Sequence, residues 1–106
     1  MAQFSLTPDP TFTATVEIPV PGKKPAKIDF TFKHRDREQF GQWFDALRDN
    51  ESDVDVVLDI ASGWNLKEPF GRETVEQLVT GYLGSARSII DKYIAENTGA
   101  RLGNLR

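Results

Sequence analysis

DVDVVLDIASGW, residues 53 to 64, fits two geometries, and the choice between them decides the fold. With a period of two, Val54, Val56, Leu58, Ile60 and Trp64 share one side and Asp53, Asp55 and Asp59 the other, as in a half-buried strand. With a helical period, Val54, Val57, Leu58 and Ala61 form a stripe that Val56, Ile60 and Trp64 widen, leaving Asp55, Asp59 and Ser62 as a wet edge. The flanking residues favour the helix. Ser52 or Asp53 can cap its start, Asp55 falls in the first turn where the helix dipole suits a carboxylate, and Gly63 can close the end. A strand here would be a lone third strand with no turn linking it to the hairpin upstream. Valine and isoleucine in a helix, by contrast, cost only tenths of a kcal/mol each. The expectation is a helix over 53–63.

Upstream, residues 12–18 and 26–32 alternate cleanly. Phe12, Ala14, Val16 and Ile18 face one way, as do Ala26, Ile28, Phe30 and Phe32, with Thr13, Thr15, Glu17, Lys27, Asp29 and Thr31 opposite. Between these two strands, Pro19, Pro21 and Pro25 cannot donate to a ladder and Gly22 permits a tight reversal, which predicts a hairpin over 12–32 with a stiff tip. Two strands alone are marginal in water, so helices must cover their apolar face. From Asp36, the spacing of Phe40, Trp43, Phe44 and Leu47 predicts an amphipathic helix over about 36–50. Val75, Leu78, Val79 and Tyr82 repeat the spacing over 72–83, with Gly84 as a left-handed stop. Ser85 can then cap a last helix over 85–98 that carries Ala86, Ile89, Ile90, Tyr93 and Ile94 and ends at Gly99. Residues 65–71 form a linker in which Pro69 prevents one continuous helix, and 99–106 have no periodicity and are expected to be a mobile tail. The fold class is α+β: an N-terminal β-hairpin packed against about four helices in a single domain, residues 1–98.

A chain of 106 residues can bury a core without staples. With no cysteine and no apolar run near bilayer length, neither a disulfide scaffold nor a membrane protein is expected, and the opening MAQFSLTPDPTF does not read as a secretion signal. A cytoplasmic protein fits best. A net charge of −3 has the wrong sign for gripping a phosphate backbone, so nucleic acid is not an expected partner.

Few residues suggest chemistry. His34-Arg35-Asp36 matches a kinase triplet, but the glycine-rich loop, the strand lysine and the larger body are missing. His34 reads as a solvated boundary residue and, as the one histidine, rules out histidine-pair metal sites. Asp55 and Asp59 share a helical face, yet two carboxylates are too few for a calcium cage and read as a solvated edge. Ser62 lacks the glycine two places ahead that a nucleophile elbow needs. Lys23 and Lys24 at the hairpin tip read as solubilising charges, and Phe40, Trp43 and Phe44 as core. Trp64 either plugs the core or anchors a partner. No catalytic residue, metal or cofactor is expected, and the residues describe a module that works by contact.

The opening FSLTPDPTFTATVEIPVPGKKPAKIDFTFKHR, the central VVLDIASGWN, Phe70 before the third helix and YLGSARSIIDKYIAENTGARLGN resemble phage tail assembly chaperones of long-tailed phages and prophages. The similarity spans nearly the whole chain. It implies a non-enzymatic protein of the host cytoplasm that keeps the helical, aggregation-prone tape measure protein soluble while tail tube subunits polymerise around it, and that leaves before the virion is complete. It also implies a second, frameshifted long form that recruits the tube protein, this chain being the short form. Gly71 and Arg72 depart from relatives, which tend to carry a better helix-capping residue there. A chaperone of this kind needs an apolar groove with a polar rim, for which Trp64, Leu66 and Phe70 are the candidate partner-binding residues. Self-association is left open by the need for several copies along a long client. The alternative reading is a small structural tail component, a tube or terminator-like subunit that stays in the virion.

Overall fold

The computed structural model describes residues 4–49 and 52–99. The alternating segments form the strands β1 (Thr11–Ile18) and β2 (Ala26–Lys33), paired antiparallel with Ala14 opposite Phe30 and Val16 opposite Ile28. The reversal between them rests on a 3.0 Å bond from Lys23 N–H to Val20 C=O and on Gly22, whose φ of 75° favours glycine.

The decisive stretch adopts both geometries in succession. A helix, α2 (Asp53–Ile60), is followed without a loop by a strand, β3 (Ala61–Trp64), which pairs antiparallel with β2 and completes a sheet of order β1-β2-β3. The helix expected over 53–63 therefore ends at Ile60, and Gly63 is a strand residue opposite Thr31 instead of a helix stop. The start follows the capping argument, with Ser52 Oγ accepting the Asp55 N–H at 3.2 Å. The end is set by a distant demand. The outward backbone groups of β2 require partners, and Ala61 turns to extended backbone (φ −123°, ψ 151°) to supply them. No tight turn is needed, because the first two helices carry the chain back. A register irregularity where Ala61 and Gly63 span the single step from Phe32 to Thr31 makes Ser62 the extra residue of a bulge.

The remaining helices are α1 (Arg37–Leu47), α3 (Arg72–Gly81) and α4 (Ser85–Thr98). Asp36 lies outside α1 as its cap. Its Oδ1 accepts the Gln39 N–H at 2.9 Å while Gln39 Oε1 accepts the Asp36 N–H at 3.0 Å. α1 stops at Leu47, short of the expected end, and Asn50 is outside the described residues. α3 stops at Gly81, which leaves Tyr82 and Leu83 in the turn. Gly84 is not left-handed (φ −89°, ψ 0°) and is itself the cap position of α4. It lies close to the hairpin loop, where a Cβ would sit 3.2 Å from Pro19 Cγ and require that ring to give by a few tenths of an ångström. Ser85, expected as the cap, is the first residue of α4, fully buried, with its hydroxyl donating to Leu78 C=O at 3.3 Å. Gly99 does end α4 in the left-handed region, with φ 75°. The rest of the expected tail, 100–106, lies outside the described residues.

One face of the sheet carries the core. Phe30 and Phe32 of the central strand are fully buried, with Val16 and Ile18 beside them and Val57, Ile60, Val75, Ile89 and Tyr93 packed over them. Of the aromatic stripe on α1 only Trp43 is buried, Phe40 is half-buried, and Phe44 is 48% exposed. α1 leans on the domain through Phe40 and Trp43, whose rings meet Tyr93 at 6.5 and 5.2 Å.

Candidate functional site

Trp64 ends β3 opposite Phe30 and is half-buried, edge-on to Phe30 at 5.8 Å and to Phe70 at 5.1 Å. Its indole N–H donates to Glu68 C=O at 2.7 Å, which ties the linker over the ring. Asn65 fixes the other end of that linker. It extends the ladder through its N–H to Asp29 C=O (3.1 Å) and through its side-chain Oδ1, which accepts the Asp29 N–H (3.0 Å). Beyond Pro69, Thr74 Oγ1 donates to Pro69 C=O at 2.6 Å and accepts the Gly71 N–H at 3.1 Å. Glycine has no side chain to accept a first-turn N–H of α3, and Thr74 makes only the reciprocal bond, back to the Gly71 N–H. Arg72 is unfavourable beside a helix start, and it pairs at 2.7 Å with Asp55 of α2. These two contacts offset the weak start expected of Gly71 and Arg72.

This arrangement leaves a cleft of about 200 Å³ between the linker and α3. Trp64, Leu66, Leu78 and Tyr82 give it apolar walls, and Glu68, Thr74 and Gln77 a polar rim. Leu66 is 37% and Tyr82 40% exposed. Of the three residues expected to bind a partner, Trp64 and Leu66 thus line one surface. Phe70 does not line it and stands behind Trp64 as a brace. Leu78 and Tyr82 were not among the candidates. Their helical spacing signals an apolar face but not which part of it stays uncovered.

A second constellation gathers where β2 ends. The Arg35 side chain, 16% exposed, lies over Trp43 and Tyr93 at 5.5 and 5.8 Å from the ring centres. It donates to Tyr93 Oη (3.0 Å) and to Asp59 Oδ2 (3.0 Å). The Asn97 side chain brackets the backbone of the same residue, accepting its N–H and donating to its C=O, both at 3.0 Å. Burial pushes the Tyr93 phenol above its ordinary value of 10.0, and the hydrogen bond and charge of Arg35 only partly oppose this. Asp55 and Asp59, expected as a solvated edge, are therefore each engaged by an arginine, although both remain about half exposed. His34, half-buried, bonds through its backbone N–H to Pro10 C=O at 2.9 Å and joins Lys33 and Gln42 around an open concavity of about 520 Å³. Lys23 and Lys24 are exposed at the hairpin tip, and Ser62 is an exposed bulge residue. Among the described residues no three His, Cys, Asp or Glu side chains lie close enough to hold a metal, and no helix is long and apolar enough to cross a membrane.

Sheet, helices and cleft together define a small α+β domain with an apolar surface cleft held open by a hydrogen-bonded linker. A family model described as phage tail assembly chaperone matches residues 1–104, and the chain belongs to that family. The resemblance read from the TPDPTF, LDI-x-x-GW and GAR-x-GN segments is borne out. Neither the curated proteins nor the solved structures gave a significant match.

Proposed function

We propose that this chain keeps the tape measure protein soluble in the host cytoplasm while tail tube subunits polymerise around it, that it binds through the cleft of Trp64, Leu66, Leu78 and Tyr82, and that it makes or breaks no covalent bond. The observation that carries the reading is the joint exposure of Leu66 and Tyr82 on the walls of one cleft with a polar rim. An amphipathic client helix needs such a surface for its apolar anchors. At about 200 Å³ the cleft is smaller than the roughly 300–1,000 Å³ of most small-molecule pockets, and so suits one or two side chains of a polymer. In this reading the tube protein is reached through a frameshifted long form, and the chaperone is absent from finished particles.

Co-expression with the tape measure protein tests this. Covering the exposed part of Tyr82 and Leu66 is worth about 2 and 1 kcal/mol, so the paired change Leu66→Ser and Tyr82→Ser should weaken client binding about 100-fold. The client should then precipitate, while circular dichroism still shows the fold. A paired Lys23→Ser and Lys24→Ser control should leave the client soluble. Trp64 and Phe70 are poorer probes, because Trp64 packs on Phe30 and ties down the linker, and Phe70 braces Trp64. Unchanged client solubility in the paired cleft variant would reject the cleft. Stoichiometric recovery of the chain from purified virions would favour the structural tail component.

A further inference from the structure

The apolar cleft carries charge of one sign at its rim. Glu68 lines it from the linker side. On the opposite wall α3 contributes Thr74, Gln77 and Leu78, and Glu73 stands one turn before Gln77, so its side chain falls on the flank of the helix that borders the cleft. Both glutamates are exposed, and neither carboxylate has an ion-pair partner among the described residues. The nearby cations do not cancel them. Arg72 is held at 2.7 Å by Asp55 of α2, and Lys67, the one cation of residues 65–71, does not line the cleft.

Two aromatic rings share the site with these carboxylates. Trp64 and Tyr82 both line the cleft, and Tyr82 is 40% exposed. A cation is attracted to an aromatic face by the ring quadrupole, and the methylene stem of a lysine or arginine covers apolar surface while its head stays in water. A basic side chain can therefore lie across the mouth of the cleft with its stem against the rings and its charge at the rim. An acidic one meets repulsion from Glu68 and Glu73 and gains nothing from the rings. At about 200 Å³ the interior holds one or two apolar side chains, so the neighbours of that anchor, one turn along the client helix, fall at the rim. We infer, on the reading that this cleft is the client site, that its occupant is an amphipathic helix whose apolar anchor is flanked by lysine or arginine, and that segments flanked by carboxylates are passed over.

Burial of the anchor holds the client, and charge decides which stretch of it is held. Because both carboxylates are exposed, each cross-pair is worth only a few-fold in affinity, and salt should erase it.

Two synthetic helical peptides test this. They have equal length and the same leucine face, and differ only in whether lysine or glutamate flanks the leucines. Titrated calorimetrically with the full chain, the lysine peptide should bind about 10-fold tighter in about 20 mM salt, and at most about 2-fold tighter in about 0.5 M salt. The paired change Glu68→Gln and Glu73→Gln should bring the two affinities within about 2-fold at low salt, while circular dichroism still shows the fold. A control pair, Glu17→Gln and Glu38→Gln, alters the net charge equally at exposed positions on β1 and α1 and should keep the full preference. Equal binding of the two peptides to the wild-type chain, a preference that the rim pair leaves intact, or one that the control pair removes would overturn the inference. The cleft itself would stand in those cases if Leu66→Ser with Tyr82→Ser still weakened both peptides. If neither peptide binds, or if that paired change leaves binding intact, the cleft is not the site and both readings fall.

Discussion

Arg35→Met tests the latch that joins the end of β2 to α1, α2 and α4. Methionine keeps an apolar stem and removes the guanidinium. Besides a long 3.4 Å bond to Asp59 C=O, three interactions are lost. The hydrogen bond to Tyr93 Oη, made at 3.0 Å by a charged donor, is worth about 1.5–3 kcal/mol. The ion pair with Asp59 is equally short, but its carboxylate is 51% exposed, and solvent screening limits it to at most about 1 kcal/mol. Stacking over Trp43 and Tyr93 adds about 0.5–1 kcal/mol. These contributions share one side chain and do not add fully, so the expected loss is about 3 kcal/mol. For a domain of this size the thermal midpoint should fall by about 12–24 °C. Urea melts of Arg35→Met, Tyr93→Phe, Asp59→Asn and the two pairs that include Arg35 complete the measurement. The coupling of Arg35 to buried Tyr93 should exceed its coupling to Asp59. A total loss below about 1 kcal/mol, the size of an ordinary substitution, or a larger coupling to Asp59, would refute the assignment of strength to the desolvated contact.

In a Tyr82→Phe background, Tyr93 should titrate above 10.0 by ultraviolet absorbance, and adding Arg35→Met should raise it further, because Arg35 is what lowers it. A folded value above the unfolded one stabilises below the unfolded pKa, and this contribution should be lost as pH climbs through the folded value, which alkaline urea melts would record. Ser52→Ala removes the cap that starts α2, and should cost about 1 kcal/mol in a urea melt.

How much of this was legible follows from the range of the forces involved. Alternation in β1 and β2 is a local pattern, and the apolar side read from it is the side that carries Phe30 and Phe32 at no exposure. Capping at Ser52 is equally local and placed the start of α2. The end of α2 was not local. The four residues Ala61–Trp64 add a strand some thirty positions downstream of β2, where Gly63 stands opposite the outward backbone groups of Thr31, a demand no window of sequence contains. Arg35 meets Tyr93 and Asn97 for the same reason, 58 and 62 positions apart. The cleft was half legible. Trp64 and Leu66 signalled themselves as large apolar residues among polar ones, whereas the exposure of Tyr82 depends on α3 stopping at Gly81.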